Sequence, residues 1–428
     1  MKLITGQFSD AFLPIMDGVV NVVKNYADWE HRTYGSSYVI TPDFPDYEDK
    51  EPYSVIRYPS IPIPFRSPYR QGLPSLNPEF MKTIIQIPFN LVHTHSPFSA
   101  GRLGLYVARK KEIPVIASFH SKYYDDLYGA LKVEALARIG VNRIVEFYES
   151  VDYVWTVNNG TADTLREYGY KGDIDIIPNG TDFSPVSNHE ARRKEVNEKL
   201  HLQEHDTVFL YVGQLVWQKN LKTVFESLAS LKSLEVPYKM LIVGRGYAQD
   251  EMKEMAISLG VQDDVLFLGS ILDRDYLKSL YCRADLFLFP SVYDNASIAV
   301  REAAAVGCPS LLIDGSNTAE GVIDNYNGFL ADNDDHSIAS RIVLALSSKE
   351  KLKEVGMMAQ KTIYVNWENV MEEVNQKYIE IAKRGIKRGK RVISLTSPKH
   401  FTAQKPTLRK KLGRRLKKAK EKIIKHLL

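Results

Sequence analysis

Short apolar runs, rich in β-branched and aromatic residues, recur along most of the chain. NLVHTHS (90–96), IPVIASFH (113–120), VDYVWTVN (151–158) and DIDIIPNG (173–180) form one series. TVFLYVG (207–213), KMLIVG (239–244), DVLFLG (264–269), ADLFLFP (284–290), PSLLID (309–314) and NGFLA (327–331) form a second. Stretches with helical spacing lie between them, such as NLKTVFESLASLKSL (220–234) and SIAVREAAAVG (297–307). Strands that are apolar throughout belong to parallel sheets covered by helices on both faces. The alternation therefore predicts an α/β fold with two Rossmann-like, doubly wound domains and a ligand cleft between them.

The polar, charged stretch TDFSPVSNHEARRKEVNEKLHLQEHD separates the two series. It divides an N-terminal domain (1–185) from a C-terminal domain (186–365), with Ser184-Pro185 as a turn signal. Ten of the 20 prolines fall between residues 42 and 88. Proline fixes φ and removes a donor, so this region is expected to hold neither a central strand nor a long helix.

Length, 428 residues, agrees with two domains. There are two cysteines, Cys282 and Cys308, which argues against a disulfide framework and fits a reducing cytosol. No C-x-x-C or H-E-x-x-H spacing signals a metal, so no metal and no cofactor are expected. No apolar run reaches the roughly 20 residues that span a bilayer.

The net charge of +4 conceals an asymmetry. Residues 383–428 carry 18 Lys and Arg against one acid, Glu421, while the body has an excess of acids. Within this tail, Leu408, Leu412, Leu416, Ala419, Ile423 and Leu427 are spaced to make one apolar stripe on a helix edged by bases. Such a helix lies in the headgroup plane of an anionic membrane. The stripe has no use on a nucleic-acid backbone, so a membrane surface is the expected partner and nucleic acid is not. The chain is then expected to be cytoplasmic and peripherally attached to the inner face of the plasma membrane.

Candidate chemistry gathers where predicted strands end, which is where open α/β sheets bind ligands. After TVFLYVG, Gly213 allows close approach to the backbone, and Lys219 precedes a helix, where a lysine is unfavourable unless it meets an anion. LIVGRG (241–246) repeats the strand-then-glycine arrangement at Gly244. FPSVYDNASIAVRE ends a strand at Asp294 and starts a helix whose free N–H groups suit a phosphate. Glu302 follows on that helix, able to accept bonds from neighbouring hydroxyls. Asp294 can also serve as a helix cap, and His120 as an ordinary packed histidine.

PSVYDNASIAVREAAAVGCP matches the acid, seven residues, then Glu pattern of the family 4 retaining glycosyltransferases of GT-B fold, and the chain resembles that family over residues 1–385. Gly18 in PIMDGVV, His120 in IASFHSKYYDDL, IPNGTDF, Lys219 before Asn220, and NGFLA agree with it. NWENVMEEVNQKYIEI resembles the family's closing helix, expected over 366–382 and packed back on the first domain. VHTHSPFSAG and SFHSKYYDDL are similar to the diacylglycerol glucosyltransferase branch.

The resemblance implies a hexosyltransferase that uses a nucleotide-sugar donor. Glu302 would hold the ribose and Asp294 the donor sugar. Amides of Asn295, Ala296, Ser297 and Ile298 would contact sugar or diphosphate. Lys219 would neutralise the leaving diphosphate, Gly18 would let the first-domain loop approach, and His120 would lie beside the sugar and the β-phosphate. His95 and Ser96 are candidates on the acceptor side. The chain departs from the family at Gln214, where arginine is usual, at Asp294, where glutamate is usual, and at Gly18-Val19, where Gly-Gly is usual. The expected reaction moves glucose from UDP-glucose to a membrane lipid or lipid-linked acceptor, with retention. The alternatives are an enzyme of capsule, teichoic or other surface polysaccharide assembly, and a non-catalytic transferase-like partner subunit.

Overall fold

The computed structural model describes residues 2–64 and 67–387. The amphipathic stretch expected over 408–428 lies outside them. In chain order the strands are β1 (Ile4–Phe8), β2 (Ser36–Pro42), β3 (Ser54–Tyr58), β4 (Ser60–Pro62), β5 (Arg70–Gly72), β6 (Leu91–Thr94), β7 (Val115–Phe119), β8 (Tyr153–Thr156), β9 (Asp175–Ile176), β10 (Val208–Val212), β11 (Lys239–Val243), β12 (Val265–Gly269), β13 (Leu286–Phe289), β14 (Ser310–Ile313) and β15 (Phe329–Ala331).

These form a seven-stranded sheet ordered β3-β2-β1-β6-β7-β8-β9, a six-stranded sheet ordered β12-β11-β10-β13-β14-β15, and the small hairpin β4-β5. Every pairing within the two large sheets is parallel. This is the GT-B architecture of two Rossmann-like domains. In each sheet the chain winds outward, returns, and continues on the other side. The reversals fall between β1 and β6 and between β10 and β13, and polar side chains gather beyond those strand ends.

The proline-rich region contributes the edge strand β3, the hairpin and the helix Pro78–Gln86, and no central strand. Strands β1 and β2 gave no apolar run in the sequence. Thr5, Gln7, Ser36 and Ser37 interrupt them, and Thr5, Gln7 and Ser37 are buried polar groups that bond to each other or to other elements.

The helix Trp367–Arg384 crosses back to the first sheet. Its Trp367, Val370, Met371, Val374, Tyr378 and Ile381 pack with Leu3, Leu91, Ile116 and Trp155. Tyr378 stacks on Trp155 with ring centroids 5.6 Å apart. The two chain crossings between the sheets run side by side. Thr181 N donates to Val365 O at 2.9 Å, and Trp367 N donates to Thr181 O at 3.2 Å. Gly180 lies against them, where a Cβ would come within 2.8 Å of the Trp367 backbone.

Glu30 is buried near this helix, and neither carboxyl oxygen has a hydrogen-bond partner among the described residues. Burial pushes its carboxyl up to about 8. The unfolded chain ionises it near the ordinary value of about 4.3. Between those values the unfolded state binds fewer protons, so this group makes stability fall as pH rises. Glu30→Gln abolishes the ionisation. It is expected to raise Tm more at about pH 8 than at about pH 5, and thermal unfolding scans that show equal shifts at both would refute this.

Candidate active site

The turn after β13 is where the domains meet. Ser291 and Thr318 of its own domain bond part of its backbone, and the first domain supplies further donors. Asn158 Nδ2 donates to Asn295 O at 2.8 Å and to Asn317 O at 2.9 Å. Asn179 Nδ2 donates to Ala296 O at 3.3 Å. Asn295 Nδ2 donates to His120 O at 2.6 Å. On the same seam, Lys122 Nζ donates to Val292 O at 2.8 Å and Tyr293 Oη to Asp126 Oδ1 at 2.9 Å. Glu320 accepts from Asn159 N at 2.9 Å and Gly160 N at 2.7 Å. It thereby meets the positive end of the helix Asn159–Glu167 from across the cleft.

Lys219 and Asp294 form an ion pair inside this seam, through Nζ and Oδ1. Their side chains are only 14% and 20% exposed. The other carboxylate oxygen, Asp294 Oδ2, is buried and has no partner among the described residues. Asn295, Ala296 and Ser297 follow, and the helix Ile298–Ala305 begins with no side-chain bond from its cap, Ser297.

Two turns into that chain segment, Glu302 is 4% exposed. Arg274 donates to its Oε1 at 2.6 Å and Tyr281 Oη to its Oε2 at 2.9 Å. Arg274 also forks onto Asp182, and its guanidinium lies 4.5 Å from the Phe183 ring centroid. Glu302 is thus anchored through both oxygens, each with a further lone pair to offer.

The glycines separate into two kinds. A Cβ on Gly244 would strike the Gly213 carbonyl, and one on Gly213 would come within 2.6 Å of the Tyr211 hydroxyl. Gly244 is thus required by packing of the loop after β11 on the loop after β10, and Gly213 by the buried Tyr211 side chain of β10. Gly18, by contrast, opens the helix Gly18–Trp29 with nothing within 4 Å of an added Cβ. Gln214 is exposed.

On the first domain, His120 follows β7 and is partly exposed. Burial lowers its imidazole to about 4, so the ring is neutral at physiological pH. His93 and His95 are lowered well below the ordinary value, by burial first and then by charge on neighbouring histidines. His95 and Ser96, the acceptor-side candidates, make hydrogen bonds within the first domain. His95 is 1% exposed, with Nδ1 3.3 Å from His120 Nε2 and Nε2 2.9 Å from Gln7 Oε1. Ser96 Oγ donates to Asp10 Oδ2 at 2.6 Å and accepts from Asp10 N at 3.0 Å. Both therefore direct polar atoms toward neighbours inside the protein.

The structure therefore brings Lys219, Asp294, Asn295, Ala296, Ser297 and His120 to one seam. Glu302 lies on the same helix as the turn. Asn179 falls in the motif IPNGTDF, whereas Arg274, Tyr281, Asn158 and Glu320 were not singled out from sequence. Their partners are distant in the chain, and no local motif marks them.

The class these features define is matched by family models. The model for glycosyl transferases group 1 matches residues 192–362, and that for glycosyltransferase family 4 matches residues 16–184. The chain belongs to the family 4 glycosyltransferases and is a hexosyltransferase of GT-B fold.

Among relatives, it is 26% identical over 384 residues to the alpha-monoglucosyldiacylglycerol synthase of Streptococcus pneumoniae, covering 88% of this chain and 85% of that one. It is 25% identical to the enzyme of the same name from Acholeplasma laidlawii, covering 84% and 96%. A GDP-mannose-dependent alpha-mannosyltransferase of Corynebacterium glutamicum is 25% identical, covering 76% and 75%. The crystal structure of Anabaena HepE in complex with UDP and glucose superposes with a TM-score of 0.69 at 17% identity, covering 88% of this chain and 99% of that one. That similarity shows the shared fold. No helix among the described residues is long and apolar enough to cross a membrane.

The interdomain seam can be tested apart from catalysis. Asn158→Ala removes both donors to the Asn295 and Asn317 carbonyls, at a cost of about 1–3 kcal/mol to the docked state. Combined with Glu320→Ala, it is expected to enlarge the radius of gyration in small-angle X-ray scattering. An unchanged scattering curve would mean that other contacts hold the domains together.

Proposed function

We propose that this enzyme transfers glucose from UDP-glucose, with retention, to a membrane lipid or lipid-linked acceptor. The carrying observation is the unpartnered Asp294 Oδ2 beside Lys219. A buried acceptor left unpaired costs about 1–3 kcal/mol. A hydroxyl of the donor sugar would satisfy it.

In this reading the diphosphate rests at the N–H groups of Asn295 to Ile298 and the positive end of the helix Ile298–Ala305. Lys219 shifts between Asp294 and the phosphates, and stabilises charge as it develops on the leaving group. Glu302, held still by Arg274 and Tyr281, accepts from the ribose hydroxyls. Gly18 leaves room for the donor, and Gly213 and Gly244 keep the neighbouring loops low. His120 contacts the transferred sugar.

The C1–O bond to the diphosphate breaks as the acceptor oxygen bonds to C1 on the same face. The acceptor proton passes to the departing phosphate oxygen. The charge is met by protein groups, and no metal or cofactor takes part.

Two observations support a lipid acceptor. The relatives include enzymes named for glucosyldiacylglycerol synthesis. Residues 128–136, YGALKVEAL, are all exposed, yet their charged residues are confined to Lys132 and Glu134. They join the helix Tyr123–Leu131 to the helix Glu134–Ser150, and Asp126 in the first of these touches the Tyr293 hydroxyl beside Asp294. An exposed apolar surface suits an acceptor that stays in the bilayer. The basic stripe of residues 408–428 would hold the enzyme at an anionic surface.

Nucleotide release is the direct test, with UDP-glucose, UDP-galactose, UDP-N-acetylglucosamine and GDP-mannose, each with diacylglycerol vesicles. Release is expected with UDP-glucose and dependent on lipid; no release with any donor would sink this reading. Lys219→Ala is expected to lower kcat by about 10²–10³. Glu302→Ala is expected to raise the donor KM by about tenfold or more, the loss of a charge-assisted hydrogen bond.

For the membrane arm, vesicle flotation compares the full chain with one truncated after residue 387. The full chain is expected to float with anionic vesicles and the truncated chain to lose that preference. Equal flotation would reject the tail as an anchor.

A further inference from the structure

Behind His120 runs a chain of polar side chains that ends on the crossing helix. Thr5 and Gln7 lie on β1, His93 on β6, His95 just beyond it, Ser118 on β7 and Tyr378 on the helix Trp367–Arg384. All six are buried. A neutral imidazole donates through one nitrogen and accepts through the other, so each link constrains the next.

The Thr5 hydroxyl donates to Ser37 Oγ at 3.2 Å, and its oxygen receives Gln7 Nε2 at 3.5 Å. Gln7 Nε2 also faces the Tyr378 hydroxyl oxygen, at 3.4 Å. These two acceptors turn Gln7 Oε1 toward His95 Nε2, at 2.9 Å. A carbonyl oxygen can only accept, so His95 carries its proton on Nε2 and a lone pair on Nδ1. That Nδ1 lies 3.3 Å from His120 Nε2, and the contact bonds only if His120 donates.

The other branch agrees. Tyr378 gives its proton to His93 Nδ1 at 2.6 Å, and His93 Nε2 donates to Ser118 Oγ at 2.7 Å. The reverse arrangement turns the Gln7 carbonyl onto Thr5 and Tyr378, makes Ser37 the donor to Thr5, and takes the amide oxygen away from His95 Nε2, where the structure has it at 2.9 Å. His120 Nδ1 has no partner among the described residues and is absent from the buried unsatisfied atoms.

We propose that Gln7 is a positioning residue: through His95 it locks His120 with its proton on Nε2. His120 Nδ1 then receives a hydroxyl of the donor sugar or of the acceptor, and does not donate to a phosphate oxygen. The proposal rests on His120 lining the donor site. Burial holds the three imidazoles neutral, the state the lock needs.

The full-length protein, selectively labelled with ¹⁵N-histidine, tests it by long-range ¹H–¹⁵N spectra that report which ring nitrogen is protonated. His120→Ala and His95→Ala assign the signals. The wild type is expected to show His95 and His120 protonated on Nε2. A His120 proton on Nδ1 overturns the proposal, and the tautomer itself is read on the wild-type protein.

Gln7→Met, close in size but without hydrogen bonds, is expected to mix the His120 tautomers. It should lower kcat about tenfold with the donor KM about unchanged, a split that general loss of packing would not give. A change in tautomer without a change in kcat, or the reverse, overturns the lock. Wild-type turnover by His120→Ala would instead reject the site reading and leave the tautomer result standing.

Discussion

The turn from Asn295 to Ser297 depends on the opposite domain for its backbone partners. Buried carbonyls must be paired, and within this turn there is nothing to pair them. Asn158 and Asn179 supply donors across the cleft, and Asn295 returns one to the His120 carbonyl. The residues read as the sugar and phosphate site are therefore held in part by groups of the opposite domain. The Lys219–Asp294 pair sits inside that closure, which reduces the water around it and strengthens the attraction.

Much of the second domain was legible because its chemistry is local. Strands buried on both faces are apolar throughout, so β10 to β15 appear as runs. The site motif also fits in one strand-turn-helix unit, where spacing alone puts Asp294 at a strand end and Glu302 on a helix. The first three strands were not legible. Their inward positions carry Thr5, Gln7 and Ser37, and a polar core position looks like a surface one when its partner is unseen. Gln7 and Tyr378 are separated by 371 residues, and no local pattern could join them.

The same limit explains the shifts at individual residues. His95 and Ser96 stand in the run NLVHTHS, and the strand itself ends before them at Thr94. Their hydrogen bonds turn them inward, to Gln7 and Asp10. Gly213 and Gly244 were marked as space for a ligand, while the loops around them already need that space. Arg274 had no mark at all. It gains meaning only when folding brings Asp182 and Glu302 to either side of it.

The paired crossings at Thr181 and Asn366 have a mechanical result. Two separate linkers would let one domain tilt, twist and slide against the other. Here the crossings are stitched by backbone hydrogen bonds at 2.9 and 3.2 Å, so they act as one pivot. A hinge motion at that point would carry Asn295 toward Asn158 and His120 along one arc.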